Sequence, residues 1–169
     1  MSVEANTARV RRFVEEVLAG GNFAALAELT APDCVEHTAL PGQPPGEGTV
    51  ARHMVLWRAA FPELQIIIED MIAEGDRVAV RSTACGTHRG EFLGVPPTGR
   101  RVAVATTALY RLAGGQIVER WAVVDTLALL RQLSAPLPFP EAVAEESPGA
   151  VPAYPAAGAG PTGTDDPDH

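Results

Sequence analysis

Six side chains in this sequence have the types needed for acid–base work on a small molecule: Asp125, His37, His53 and His88, with Glu119 and Tyr110 as secondary candidates. A carboxylate taken out of water holds its proton more tightly, and an imidazole titrates near neutral pH, so either can move protons in a dry site. Asp125 stands at the end of an apolar run, in one phase with Ile117, Glu119, Trp121 and Val123. With that phase inward, it is a poorly solvated acid facing the interior. Alternatively, it simply caps the helical segment Thr126-Leu-Ala-Leu-Leu-Arg-Gln-Leu, since Asp is a preferred N-cap. Spacing alone allows both.

The histidines carry the same two-way reading. His53 lies on a stripe with Val50, Met54, Trp57 and Phe61, where it is either a hydrogen-bonded core residue or a catalyst, and Trp57 either core or pocket wall. His88 shares a strand phase with Val78, Val80, Ser82, Ala84 and Gly86. Small residues there leave volume for a ligand, unless Gly86 marks a bulge that turns His88 out to the rim. The histidines, His169 included, show no H-E-x-x-H or comparable spacing. The turn G-E-F-L-G-V-P-P-T-G at 90–99 lies between strands, not between a strand and a helix, so it is no phosphate cradle. Neither a metal nor a cofactor is expected.

The elements that must position these groups follow from periodicity. Residues 3–19 form an amphipathic helix closed by Gly20-Gly21, and Asn22 caps a short helix before Pro32. Cys34-Val35-Glu36-His37 and a Pro/Gly-rich loop at 41–48 precede the helix that opens at Thr49 and stops at Pro62. Strands 64–74 and 77–88 flank Gly75-Asp76, and a second hairpin, 100–126, turns at Gly114-Gly115. The expected class is α+β: a bent antiparallel sheet wrapped around N-terminal helices, forming a cone with one mouth. The folded domain is expected over residues 1–135. Residues 136–169 hold eight of the 15 prolines and read as a disordered acidic tail.

Composition narrows the function. The formal charge is −8, but Glu141, Glu145, Glu146, Asp165, Asp166 and Asp168 sit in the tail without a basic residue. No basic face stands out, so nucleic acid is not the expected partner. All 13 basic residues are arginine, which removes lysine Schiff-base chemistry. Two separated cysteines, Cys34 and Cys85, no signal-peptide pattern and no apolar run of about 18 residues lead to the expectation of a cytoplasmic protein with free thiols, away from the membrane. The few polar groups in an apolar cone suit a small-molecule pocket.

The runs Phe61-Pro-Glu-Leu, GTHRGEFLGVPPTGRRV at 86–102, Tyr110-Arg, Gly115-Gln-Ile-Val-Glu-Arg-Trp, Asp125 and Leu129-Leu-Arg-Gln-Leu resemble the SnoaL-like polyketide cyclase family of the NTF2-like superfold. The combination of T-H-x-G-x-F-x-G-x-P-x-T-G with W-x-x-x-D carries the resemblance over residues 5–135. It implies cofactor-free aldol closure of an apolar polyketide ester, with Asp125 matching the family's acid/base aspartate and His88 the histidine of its turn. His37, His53, Trp57, Phe92, Tyr110, Glu119 and Trp121 would line the pocket. Arg120 and Ala122 depart from the E-H-W-D that members often carry, which keeps epoxide opening, dehydration, spirocyclisation and non-catalytic binding as alternatives. A homodimer or homotetramer is expected, covering a sheet face that bears Val102 and Val104.

Overall fold

A computed structural model describes residues 2–38 and 48–133. The expected tail at 136–169 and most of the 41–48 loop lie outside the described residues. Helix α1, Val3–Arg12, starts where the Ser2 hydroxyl accepts the Ala5 N–H at 3.2 Å. It runs on as a π-helical stretch, Phe13–Ala19, whose wider turn directs Val14 and Leu18 toward the interior. Asn22 Oδ1 accepts from the amides of Ala24 and Ala25, both at 3.0 Å, and so starts α2, Phe23–Leu29. Helix α3, Thr49–Ala60, buries Val50 and Met54.

The sheet comprises β1 (Thr30–Glu36), β2 (Gln65–Glu74), β3 (Arg77–Thr87), β4 (Arg101–Ala113) and β5 (Gln116–Val124), in the order β1-β5-β4-β3-β2. Strands β2 to β5 form the expected antiparallel run, and Gly75, Gly114 and Gly115 take the positive φ that the two hairpins require. Strand β1 was not foreseen. It carries Pro32 and Asp33 and lies parallel to β5 at the sheet edge, where a residue lacking an N–H is tolerated. Helix α4, Thr126–Gln132, packs on β4.

One apolar cluster joins α1, the π-helical stretch and α3 to the inner face of the sheet through Val10, Phe13, Val78, Val80, Tyr110 and Ile117. A second joins Phe61, Leu64, Phe92, Val104, Leu129 and Leu133. Val102 and Val104 belong inside this second cluster, so they are not the uncovered sheet face that was expected; among the described residues, Ile67, Ile72 and Val123 are the exposed large apolar side chains of the strands. The β3–β4 turn is latched to the end of α3, where Arg89 and Gly90 donate to the Ala60 carbonyl at 2.8 and 3.1 Å. A Cβ on Gly90 would lie 2.2 Å from the Ala59 carbonyl oxygen, so only glycine permits this approach.

Candidate active site

The site is set by a bulge. Leu112 pairs with Ile117 but Arg111 pairs with Glu119, which leaves Val118 as the extra residue of β5. A one-residue offset reverses the faces of everything beyond it. Ile117 points inward, and after the bulge the inward residues are Arg120, Ala122 and Val124, opposite Tyr110, Ala108 and Thr106. The phase of Glu119, Trp121, Val123 and Asp125 therefore turns outward, against the reading that placed Asp125 in the interior.

Between the two clusters lies a cavity of about 210 Å³. Its apolar wall includes Leu18, Val50, Trp57, Val80 and Ala122, and its polar groups include Thr38, His53, Ser82, Thr106, Tyr110 and Arg120. Arg120 Nη1 donates to Glu36 Oε2, and the Glu36 side chain is wholly buried. Glu36 Oε1 also accepts from the Thr38 amide at 3.2 Å. The Arg120 guanidinium carbon lies 5.7 Å from the centroid of the Tyr110 ring, and Nε is 3.5 Å from the phenolic oxygen. Burial works against the Arg120 charge, but Tyr110 and Glu36 more than compensate, so its pKa is raised and the cation is retained. His53 is shifted the other way, to about 4, by burial and by the positive charges of Arg120 and Arg52. The cavity thus pairs a fixed cation with an uncharged imidazole at neutral pH.

The residues expected in the pocket divide sharply. His53, Trp57 and Tyr110 line the cavity. Phe92 stands behind the wall, 4.7 Å from Trp57 and 5.5 Å from Phe61 by ring centroids. His37 and Trp121 stack on each other outside, 4.4 Å apart and 2° from parallel. Glu119 is on the same outer face, bonded by Arg111 at 2.9 Å, which holds its pKa below the usual carboxylate range.

His88 shares the inner phase as read, but Phe61 fills the space beside it: a Cβ on Gly86 would lie 3.2 Å from the Phe61 Cβ, and the His88 ring is 5.2 Å from the Phe61 ring. His88 is fully buried, its Nδ1 3.1 Å from Thr98 Oγ1, and Nε2 has no hydrogen-bond partner among the described residues. Burial lowers its pKa. Asp125 is exposed, and its Oδ1 accepts the Ala128 N–H at 2.9 Å, which is the capping role. It borders an open depression that shares Thr106, Thr107, Val123, Val124 and Thr126 with the lining of the cavity, and it does not itself line the cavity.

Sequence reasoning missed Glu36 and gave Arg120 no place in the pocket. The signal for Arg120 was present: with one residue inserted after Ile117, the inward set reads Arg, Ala, Val. Cys34 is buried, and its thiol is pushed up to about 11 by burial and by Glu36, so it is no thiolate nucleophile near neutral pH. Among the described residues, no three His, Cys, Asp or Glu side chains gather as a metal site would need, and no helix is long and apolar enough to cross a membrane.

A bent sheet closed by helices over an apolar hollow with a few fixed polar groups is an NTF2-like fold with a cavity suited to a small molecule. The chain belongs to the SnoaL-like polyketide cyclase family, whose profile matches residues 8–133. It is 33% identical over 135 residues to the aklanonic acid methyl ester cyclase of Streptomyces peucetius, covering 78% of this chain and 92% of that one. Among solved structures, AclR, a candidate hydroxylase from Streptomyces galilaeus, superposes with a TM-score of 0.70 at 30% identity, covering 79% of this chain and 98% of AclR. IdmH, a candidate polyketide cyclase from Streptomyces antibioticus, superposes with a TM-score of 0.66 at 33% identity, covering 77% and 99%.

Proposed function

We propose that this enzyme closes a ring in an apolar polyketide-type substrate by a cofactor-independent intramolecular aldol reaction inside the cavity, with Arg120 and His53 as the reacting polar groups. The observation that carries this reading is the buried Arg120, held by Glu36 and Tyr110, in a cavity it shares with neutral His53. His53 takes the proton from a carbon between two carbonyls. The enolate oxygen develops its charge beside the Arg120 guanidinium, and that charge offsets the new imidazolium. The enolate carbon then bonds to a second carbonyl carbon, and the resulting alkoxide takes the proton back from His53. Atoms and charge balance without a co-reactant. Asp125, exposed and engaged as a cap, is left outside this chemistry.

The test uses aklanonic acid methyl ester, the substrate in the name of the curated relatives. His53→Phe, and the paired change Glu36→Leu with Arg120→Met, which removes both buried charges together, are each expected to lower kcat/KM by about 10²- to 10⁴-fold with the fold retained. Near-wild-type turnover in either would overturn the assignment. A second reading, oxygenation of a similar substrate, is favoured by the likeness to AclR and would appear as oxygen consumption coupled to turnover. Exposed Ile67, Ile72 and Val123 support self-association as part of the same proposal.

A further inference from the structure

We propose that Ser82 and Thr106 form a second binding station in the cavity, one that receives an oxygen function of the ligand remote from Arg120. This rests on the reading of the cavity as the substrate site. Ser82 and Thr106 are direct cross-strand partners of β3 and β4, and their hydroxyl oxygens lie 2.6 Å apart. Both line the cavity, and Ser82 is only 6% exposed. Their inward neighbours along the two strands, Val80, Ala84, Val104 and Ala108, are all apolar and buried.

Two hydroxyls carry two protons and four lone pairs, and the bond between them uses one of each. When Ser82 donates, the Thr106 proton turns to the Ser82 carbonyl 3.4 Å away, and the free lone pairs accept a ligand O–H. When Thr106 donates, the Ser82 proton is free for a ligand carbonyl. Reversing one hydrogen bond therefore fits the station to either group. Thr106 and Tyr110 are four residues apart on β4, so the two polar stations are separated by about 13 Å along the strand. The small pair Ala108 and Ala122 lies between them and leaves room for a flat body. The ligand class that fits is an extended apolar molecule oxygenated at both ends.

The experiment uses the full chain carrying Trp121→Phe. This removes the tryptophan outside the cavity and leaves Trp57, in its wall, as the one reporter. Anthraquinone and 2,6-dihydroxyanthraquinone are titrated against Trp57 emission. In Ser82→Ala/Thr106→Val, the preference for the dihydroxy compound should fall about five- to tenfold, while affinity for anthraquinone stays within about twofold. Thr106→Ser should keep the preference, and Ser82→Ala/Thr106→Ala reads the same loss if the valine-bearing double variant is poorly folded. An unchanged preference in the hydroxyl-free variants overturns the second station while leaving the cavity reading intact. If neither compound perturbs Trp57 in the parent protein, the cavity reading itself falls, and the station with it.

Discussion

The cavity and the cluster around His88 use similar residues to opposite ends. Each contains a histidine on or beside the apolar face of the sheet, and in both burial lowers the imidazole pKa. Around His88 the rings of Phe61 and Phe92 close the space, and the glycines at 86 and 90 serve close packing of Phe61 and of the end of α3. Around His53 the facing positions are small, Ala108 and Ala122, and the volume stays open. The second region is core and the first is the proposed site. Residue type does not separate them; what separates them is whether protein atoms fill the space, because an open apolar hollow has binding energy left to offer a ligand.

The sharpest way to break this contrast is at the ion pair. Glu36→Ala leaves Arg120 buried without its partner and should cost about 3–5 kcal/mol, read as a fall in the denaturant midpoint. Glu36→Leu with Arg120→Met should recover most of that stability, since removing both charges also removes their desolvation. Failure of the pair to recover would mean that Glu36 supports the fold by something other than compensating Arg120.

The two histidines sharpen the contrast through pH. Each has a folded-state pKa below its unfolded value, so between those values the unfolded chain binds more protons and stability falls as pH drops. For His53 this window runs from about 6.5 down to about 4, and it contributes of the order of 3 kcal/mol. Thermal melts of His53→Phe should show a shallower decline across that window, with the remainder including the His88 contribution. The acid limb of the pH–rate profile should likewise fall near pH 4. A limb at the ordinary imidazole value would separate His53 from the proton transfer.

The smallest effect belongs to the rim. Asp125→Ala removes the cap of α4 and should cost about 1 kcal/mol, and Asp125→Ser should restore most of it, with turnover unchanged in both. A loss of turnover in Asp125→Ser at full stability would return this carboxylate to the chemistry.

Much of the architecture was legible because it is local. Asn22 capping α2, the stripe that puts His53 and Trp57 on one face of α3, and the glycine turns of both hairpins each depend on neighbours within a few residues. Ser82 and Tyr110 on the inner face follow from simple alternation along β3 and β4. The site was less legible. Asp125 looked inward because strict alternation from Ile117 was carried through a bulge that only pairing with β4 creates. Glu36 was overlooked because β1 pairs with a strand more than 80 residues away, and nothing near Glu36 announces Arg120 as its partner.

By itself, the order of residues determined the class of fold, the family and the set of groups from which a site could be drawn, since propensities, caps and motifs act over short range. Tertiary structure alone decided which of those groups face a hollow, which are walled in by aromatic rings and which meet water. That choice depends on register and on the filling of space, and both are set by residues far apart in the chain.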